Sequence, residues 1–145
     1  MTYLSTAPLS IEALLAEVAA PHCGGTCAFL GTVRDGPEDG GVTAIEYSAY
    51  DAMAEAELDR IVSETRRQWP EARVAVRHRL GLVAAEEASI AIAVATPHRA
   101  DAFAACRYVI EEVKMRLPVW KKELRADGTA TWVDPSGHPS MVGPQ

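Results

Sequence analysis

The chain has 145 residues, of which 48% are hydrophobic, and a formal net charge of −6 at pH 7. This length suffices for one hydrophobic core, so we predict a single domain over residues 1–134 and a disordered tail over residues 135–145, where proline, glycine and serine are frequent. The acidic charge argues against nucleic-acid binding, the lack of a long apolar run argues against a membrane span, and three cysteines favour a reducing cytoplasm over a disulfide framework.

The first third of the chain predicts one helix and two strands. Apolar residues at three- and four-residue spacing indicate a helix from about Ile11 to Ala19. Alternation from Thr26 to Arg34 indicates a strand, and a second strand is expected from Val42 to Ser48. The glycine-rich, acidic segment Asp35–Gly41 between them predicts a mobile loop, and a simple hairpin connection would make the two strands antiparallel.

The middle of the chain predicts a long helix and two strands of different character. The helix takes Asp51 as its N-cap and stops at Pro70. Residues 73–80 alternate in the manner of a strand with one buried face and one basic face, which leaves open the role of Arg73, Arg77 and Arg79. Ser89–Ala95 is apolar on both faces, which is typical of a central strand covered on both sides.

The last third predicts a helix followed by a hairpin. Thr96 and Pro97 suit a hydroxyl N-cap with proline at the first helical position, and Pro118 ends the helix. The predicted buried stripe of this helix consists of Phe103, Cys106, Ile110, Val113 and Leu117. Strands on either side of an Asp-Gly turn at 127–128 complete the pattern. We therefore predict an α+β (mixed α/β) fold, a largely antiparallel sheet packed with helices in a ferredoxin-like or hammerhead-type core with an added β-hairpin.

Basic residues at the two ends of this last helix are candidate site residues. His98 and Arg99 fall in the first turn, where free N–H groups and the helix dipole favour anions, although residues at such positions are often only solvated. Lys114 and Lys121 flank the helix end, and a chain reversal there would bring both amines to one pocket. A lysine acts as acid or base near neutral pH only where burial or nearby cations lower its pKa. Exposed lysines without a catalytic role are common at both positions.

Arg34 is a third candidate, because it ends a strand beside a glycine-rich loop, where ligand contacts often accumulate. A solvent-facing arginine is the alternative.

The sequence contains no nucleotide-binding loop, no GxSxG or HExxH motif and no convincing set of four metal ligands. Cys106 lies in the predicted buried stripe and so is not expected to act as a nucleophile. We therefore expect no metal and no cofactor, and any sulfur chemistry would use sulfur from another molecule.

Four segments carry a family signature: CAFLGTVRD, AIEYSAYDAMAEAEL, VRHRLGLVAAEEASIAIAVATPHRADAFAACRYVIEEVKMRLPVWKKE and the closing TWV. In this order, over about residues 24–133, they resemble the large, catalytic subunits of molybdopterin synthases, the MoaE family. The PHRxxAFxAC block followed by the KxxxPxWKKE block is specific to this resemblance.

The resemblance implies a cytoplasmic homodimer in which each copy binds a small ubiquitin-like sulfur-carrier subunit, forming a heterotetramer. The carrier's C-terminal Gly-Gly tail ends in a thiocarboxylate and enters a pocket of the large subunit. Sulfur then passes to the substrate, cyclic pyranopterin monophosphate, and forms the dithiolene in molybdenum cofactor biosynthesis. A non-catalytic docking module for a ubiquitin-like partner or a phosphate metabolite is the alternative function.

The family pattern also assigns roles to individual residues. Lys114 matches the main catalytic lysine, and Lys121 matches a second lysine of the site. The anion-binding residues of the family match Arg34, His98 and Arg99. Relatives can contribute a basic tail residue across the dimer interface, but the only such candidate in residues 135–145 is His138.

Overall fold

The computed structural model describes residues 2–36 and 40–144, and the predicted α+β class is confirmed. Residues 37–39, part of the loop predicted to be mobile, lie outside the described residues. In chain order the elements are β1 Leu4–Ser5, α1 Ile11–Val18, β2 Gly25–Thr32, β3 Val42–Ala49, α2 Asp51–Gln68, β4 Arg73–Arg79, β5 Gly81–Ala84, β6 Ala88–Thr96, α3 Arg99–Arg116, β7 Val119–Arg125, β8 Ala130–Val133 and β9 Pro139–Ser140.

Four strands form one sheet in the order β1-β4-β6-β2, which is antiparallel apart from the parallel pair β1 and β4. Its central strand, β6, is buried on both faces, as its sequence predicts. One face packs against α1 through Ala91, Ala93 and Ala95. The opposite face belongs to the main core with α2 and α3, through Ile90, Ile92 and Val94.

The second sheet is antiparallel throughout, in the order β5-β3-β7-β8-β9. It contains the predicted hairpin, formed by β7 and β8. The predicted pairing of β2 with β3 is wrong, because β2 pairs with β6 over its whole length and β3 pairs with β5 and β7. Alternation along a strand specifies which face is buried, not which strand lies beside it.

Both long helices begin differently from prediction. The N-cap of α2 is Tyr50, so Asp51 is the first helical residue, and the N-cap of α3 is His98 rather than Thr96. The Thr96 hydroxyl is buried and donates to the His98 carbonyl oxygen at 2.5 Å. This bond lies in the turn between β6 and α3, and the helix begins at Arg99.

The buried stripe of α3 also differs from prediction. Phe103 is 64% exposed, whereas the stripe contains Ala102, Ala105, Cys106, Val109 and Val113. Small residues dominate because α3 packs against both β2 and β6, where little space separates the helix backbone from the strands. Phe103 therefore lies on the outer side of the helix.

The tail departs from the expected disorder, because residues 135–144 form a turn and the short strand β9. The Asp134 carboxylate accepts hydrogen bonds from the backbone N–H groups of Ser136, at 2.9 Å, and His138, at 3.0 Å. Gly137 adopts a φ of 90°, which suits glycine in such a turn. These local bonds return the chain onto β8, and backbone pairing then orders it.

The arginines of β4 have structural partners. Arg73 donates to the carbonyl oxygens of Val18 at 2.9 Å and Glu17 at 3.1 Å, near the C-terminal end of α1. Arg77 pairs with the Glu17 carboxylate at 2.9 Å, and Arg79 pairs with a glutamate of the β5–β6 turn. The basic face of β4 therefore anchors α1 and this turn.

Within the described residues, no helix has the length and apolar character needed to cross a membrane.

Candidate active site

A cavity of about 100 Å³ lies where the end of α3, the start of β7 and the turn after β8 meet. Lys114 and Lys121 both line it, together with three residues of the sheets, Tyr47, His78 and Ser89. The turn of residues 134–137 forms one wall, so the ordered tail contributes to the cavity. The pocket is narrow but larger than the space that a single water molecule needs.

The chain reversal after α3 brings the two lysines to this cavity. Leu117 caps the helix in an extended conformation, and Pro118 prevents its continuation. Leu117 and Val119 are both buried, which fixes the direction of the chain on either side of the proline. β7 then runs antiparallel to β3, with Lys121 opposite Tyr47. Lys114, in the last turn of α3, and Lys121, in β7, therefore border the same space.

The electrostatic environment of the pocket makes the ammonium form of Lys114 less favourable. Burial is the main cause that lowers the pKa of this lysine, and the ammonium group of Lys121 lowers it further. Lys114 remains partly exposed, so water screens part of this effect. Within the described residues, neither lysine forms an ion pair that would oppose the lowering. The pocket thus combines a cationic lysine with one that releases its proton more readily than usual.

His78 and Tyr47 form the inner part of the pocket and were not predicted as site residues. The His78 side chain is almost fully buried, and its pKa is lowered to about 4, first by burial and further by the charges of Lys114 and Lys121. The Tyr47 ring lies edge-on to it, with the ring centroids 5.3 Å apart. A histidine on the otherwise apolar face of β4 was the only signal of this feature in the sequence.

His98 and Arg99 lie far from the lysine pocket within one chain. Both are exposed at the N-terminal end of α3, whereas Lys114 is near its C-terminal end. Fifteen residues of helix separate Arg99 from Lys114, which corresponds to about 22 Å along the axis. The start of β2 packs against this helix start so closely that a Cβ on Gly25 would lie 2.8 Å from the Arg99 Cα.

Arg34 lies at the same end of the four-stranded sheet as the lysine pocket. It follows Val33, whose N–H donates to the Glu87 carbonyl oxygen at 2.9 Å, just before the start of β6. Ser89, at that start, lines the pocket. One chain therefore places Arg34 near the pocket end of the sheet, and His98 and Arg99 near the opposite end.

The thiols and acidic residues do not suggest another reactive centre. Burial, together with the neighbouring Cys27, raises the pKa of the Cys106 thiol to about 12, so this cysteine is a poor nucleophile. Across residues 2–36 and 40–144, no cluster of three or more His, Cys, Asp or Glu side chains is placed to hold a metal ion. The lysine pocket instead suits a small anionic group with room for a narrow chain.

Comparison with known proteins places the chain in a family. Residues 4–116 match the model of the family described as MoaE protein. The chain is 41% identical over 142 residues to the molybdopterin synthase catalytic subunit of Halalkalibacterium halodurans, covering 92% of this chain and 90% of that protein. The crystal structure of molybdopterin synthase from Staphylococcus aureus superposes with a TM-score of 0.85 at 33% identity, covering 90% of this chain and 95% of that one.

A more distant structure shares the fold. It is the complex of subunits 1 and 2 of molybdopterin-converting factor from Helicobacter pylori, with a TM-score of 0.72 at 21% identity, covering 86% of this chain and 85% of that one. The match of the family model to most of the chain, the relative at 41% identity and the shared architecture all agree with the resemblance seen in the sequence. The chain therefore belongs to the MoaE protein family.

Proposed function

We propose that the chain is the catalytic subunit of a molybdopterin synthase. In this role it transfers sulfur from the C-terminal thiocarboxylate of a small ubiquitin-like subunit to cyclic pyranopterin monophosphate. The main support is the narrow cavity in which Lys114, with its lowered pKa, borders Lys121. The names of the relatives agree with this activity.

The cavity suits the end of a glycine tail. A thiocarboxylate is an anion, and two ammonium groups at the cavity would attract it. Glycines lack side chains, so a Gly-Gly terminus can enter a space that a bulkier terminus cannot. The sulfur then forms a bond to a carbon of the pterin side chain in place of a C–O bond, and the displaced oxygen leaves on the phosphate as the cyclic phosphate opens, or as water. Hydrolysis of the acyl–sulfur bond then leaves the sulfur on the pterin. The carrier departs with a carboxylate.

Lys114 would exchange protons or stabilise the developing oxyanion in these steps. A lowered pKa makes proton exchange more efficient near neutral pH, because the neutral amine is then more available. Lys121 would hold the carboxylate end of the tail and, through its charge, keep the pKa of Lys114 low. No metal or cofactor is proposed for these steps.

The phosphate of the substrate would contact Arg34, His98 and Arg99, which requires a second copy of the chain. β2 lies at the edge of its sheet, and Phe29 and Leu30 on it are 37% and 44% exposed. Antiparallel pairing of β2 with β2 of a second copy would place the start of one strand beside the end of the other. Arg34 of one copy would then approach His98 and Arg99 of the other, and a homodimer would complete each site.

The test is sulfur transfer in a reconstituted mixture of the chain, thiocarboxylated carrier and cyclic pyranopterin monophosphate. Lys114→Ala should slow product formation by about 100-fold or more, because general acid–base contributions are typically of this size. The matched control is Lys122→Ala, because Lys122 contacts the Trp132 ring, 5.6 Å from its centroid, and does not line the pocket.

Normal activity of a folded Lys114→Ala variant would rule out the role of this residue. Binding of the carrier without product formation by the unaltered chain would instead support the docking module. Product formation that is lost in Lys114→Ala and retained in Lys122→Ala would support the enzyme.

A further inference from the structure

His78 is a buried polar group of the pocket to which the proposed reaction assigns no task. It is 6% exposed and lines the cavity shared by the two lysines. The side chain is held from two sides, by the edge-on Tyr47 ring and by a hydrogen bond between Nδ1 and the Arg79 carbonyl oxygen at 2.9 Å. The imidazole is therefore fixed in one orientation.

The bond to Arg79 determines which ring nitrogen carries the hydrogen. A carbonyl oxygen only accepts hydrogen bonds, so Nδ1 must be the donor. The pKa of His78 is lowered to about 4, so the ring is neutral near pH 7 and Nε2 carries a free lone pair. His78 lines the cavity and Nδ1 is occupied by Arg79, so Nε2 is the ring nitrogen that is left to bind a ligand there.

His78 Nε2 therefore adds a fixed acceptor to the two lysine donors that line the pocket. Ammonium groups donate hydrogen bonds and accept none, so Lys114 and Lys121 suit the oxygen or sulfur atoms of a carboxyl-type terminus. A peptide that ends in this cavity also buries the backbone N–H of its last residue, and a buried N–H needs an acceptor. His78 Nε2 can supply it at the inner end of the cavity.

We infer that His78 is a tail-binding residue whose Nε2 accepts the N–H of the last peptide bond of the incoming C-terminal tail. This inference rests on the proposed function, and it deepens it by assigning a second contact to the tail. The lysines would recognise the charged end, whereas His78 would recognise the amide that precedes it. Together the contacts would fix the direction and depth of the tail.

Two substitutions separate the functions of the ring nitrogens. In His78→Asn the side-chain amide nitrogen takes the place of Nδ1, so the bond to Arg79 is preserved and the Nε2 acceptor is lost. In His78→Gln the longer side chain brings a polar group to the place of Nε2, and its amide can turn its oxygen toward the tail. The asparagine variant tests the acceptor, and the glutamine variant tests rescue.

The probe is a carrier protein that ends in Gly-Gly, made semisynthetically in two forms. One form has the natural amide between its last two glycines, and the other has an ester, which lacks the N–H. His78→Asn should weaken binding of the amide form by about tenfold, because a buried group loses its partner. The ester form should bind the unaltered chain about as weakly as the amide form binds His78→Asn. The substitution should not weaken binding of the ester form any further.

The outcomes distinguish this role from a general effect of the substitution. An equal loss for the amide and ester forms, or no loss with His78→Asn, would overturn the inference while leaving sulfur transfer by the chain intact as a proposal. Partial recovery with His78→Gln for the amide form alone would support it. Failure of the amide form to bind the unaltered chain would overturn both the inference and the proposed function.

Discussion

Lys114 and Lys121 border one cavity, although one residue lies in a helix and the other in a strand. Burial lowers the pKa of Lys114, and the ammonium group of Lys121 lowers it further. The interaction exists because the chain reverses at Leu117 and Pro118 and brings both side chains to one cavity. A nearby like charge disfavours the protonated form of an amine, so the two lysines operate as a pair.

The first prediction concerns the pH dependence of this pair. Replacing Lys121 by methionine removes a positive charge, so the protonated form of Lys114 becomes more favourable and its pKa rises. If sulfur transfer needs the neutral amine, the pH at which the rate reaches half its maximum should rise in Lys121→Met. Single-turnover rates between pH 6 and pH 10, roughly the range in which lysine pKa values are tuned, would show the shift.

Lys122→Met is the control for this experiment, because it removes the same charge from the neighbouring position of β7 without affecting the pocket. A direct titration of Lys114 by NMR would separate its pKa from other steps of the reaction. An unchanged Lys114 titration in Lys121→Met would contradict the coupling.

The second prediction concerns the division of the site between two copies of the chain. Lys114→Ala and Arg99→Ala should each be inactive alone if both residues serve one reaction. A composite site would be rebuilt in mixed dimers, where an intact Lys114 from one copy meets an intact Arg99 from the other. Random mixing would restore roughly a quarter of the sites, since half of the dimers are mixed and each has one intact site.

Sulfur transfer measured after exchange of subunits between the two variants would test this arrangement. A site contained within one chain cannot be rebuilt in this way, so activity that stays at the level of the separate variants would argue against the composite site. Phe29→Asp, which charges the exposed edge strand, should prevent both dimer formation and the recovery of activity, as measured by light scattering and by the same assay.

The third prediction concerns the ion-pair network between α2 and α3. Arg116 contacts Glu57 at 2.7 Å, Glu64 at 2.6 Å and Glu112 at 3.0 Å. It is the main cause that lowers the pKa of Glu64, whereas the pKa of Glu57 is lowered first by Arg60 and then by Arg116. Arg116→Met leaves Glu64 and Glu112 without their shared cation and leaves Glu57 paired with Arg60 alone, so urea should unfold the variant at a lower concentration. Arg107→Met, which breaks only an exposed pair with Glu111, should barely change the midpoint.

The same network predicts how acid acts on stability. The pKa values of Glu57 and Glu64 are lower in the folded chain than in the unfolded one, so their contribution is present above the ordinary glutamate pKa. It is lost as the pH falls through the lower, folded values. Arg116→Met should therefore depend less on pH in this acidic range, and an equally steep loss of stability in the variant would argue against the network.

The fourth prediction concerns the contact between β2 and the start of α3. A Cβ on Gly25 would lie 2.8 Å from the Arg99 Cα and 2.9 Å from its nitrogen, and backbone atoms cannot turn aside as a flexible side chain can. Gly25→Ala should therefore reduce the free energy of unfolding by about 1–3 kcal/mol. Denaturant unfolding would measure this, with the exposed neighbour Thr26→Ala as the control. Equal stability of the two variants would contradict the close contact.

Much of the local structure was predictable because the spacing of apolar residues within a short stretch of sequence indicates which face of a helix or strand is buried. The periodicity of α1, α2 and α3 placed these helices, and the apolar run of β6 predicted a strand covered on both faces. The family and the enzyme class followed from longer motifs, and the comparisons confirm them. The starts of α2 and α3 were each placed at the wrong N-cap residue, and the exposed Phe103 was assigned to the buried stripe.

Amino-acid order by itself determined the α+β class, the positions of the helices and the presence of cations at both ends of α3, because these depend on local spacing and side-chain chemistry. Only the tertiary structure decided that β2 pairs with β6, that the tail forms a wall of the pocket, and that His78 lies beside the lysines. It also showed that Lys114 and Lys121, but not His98 and Arg99, line the cavity of one chain. These features depend on contacts between distant segments, whose pairing is selected by the energy of the whole fold.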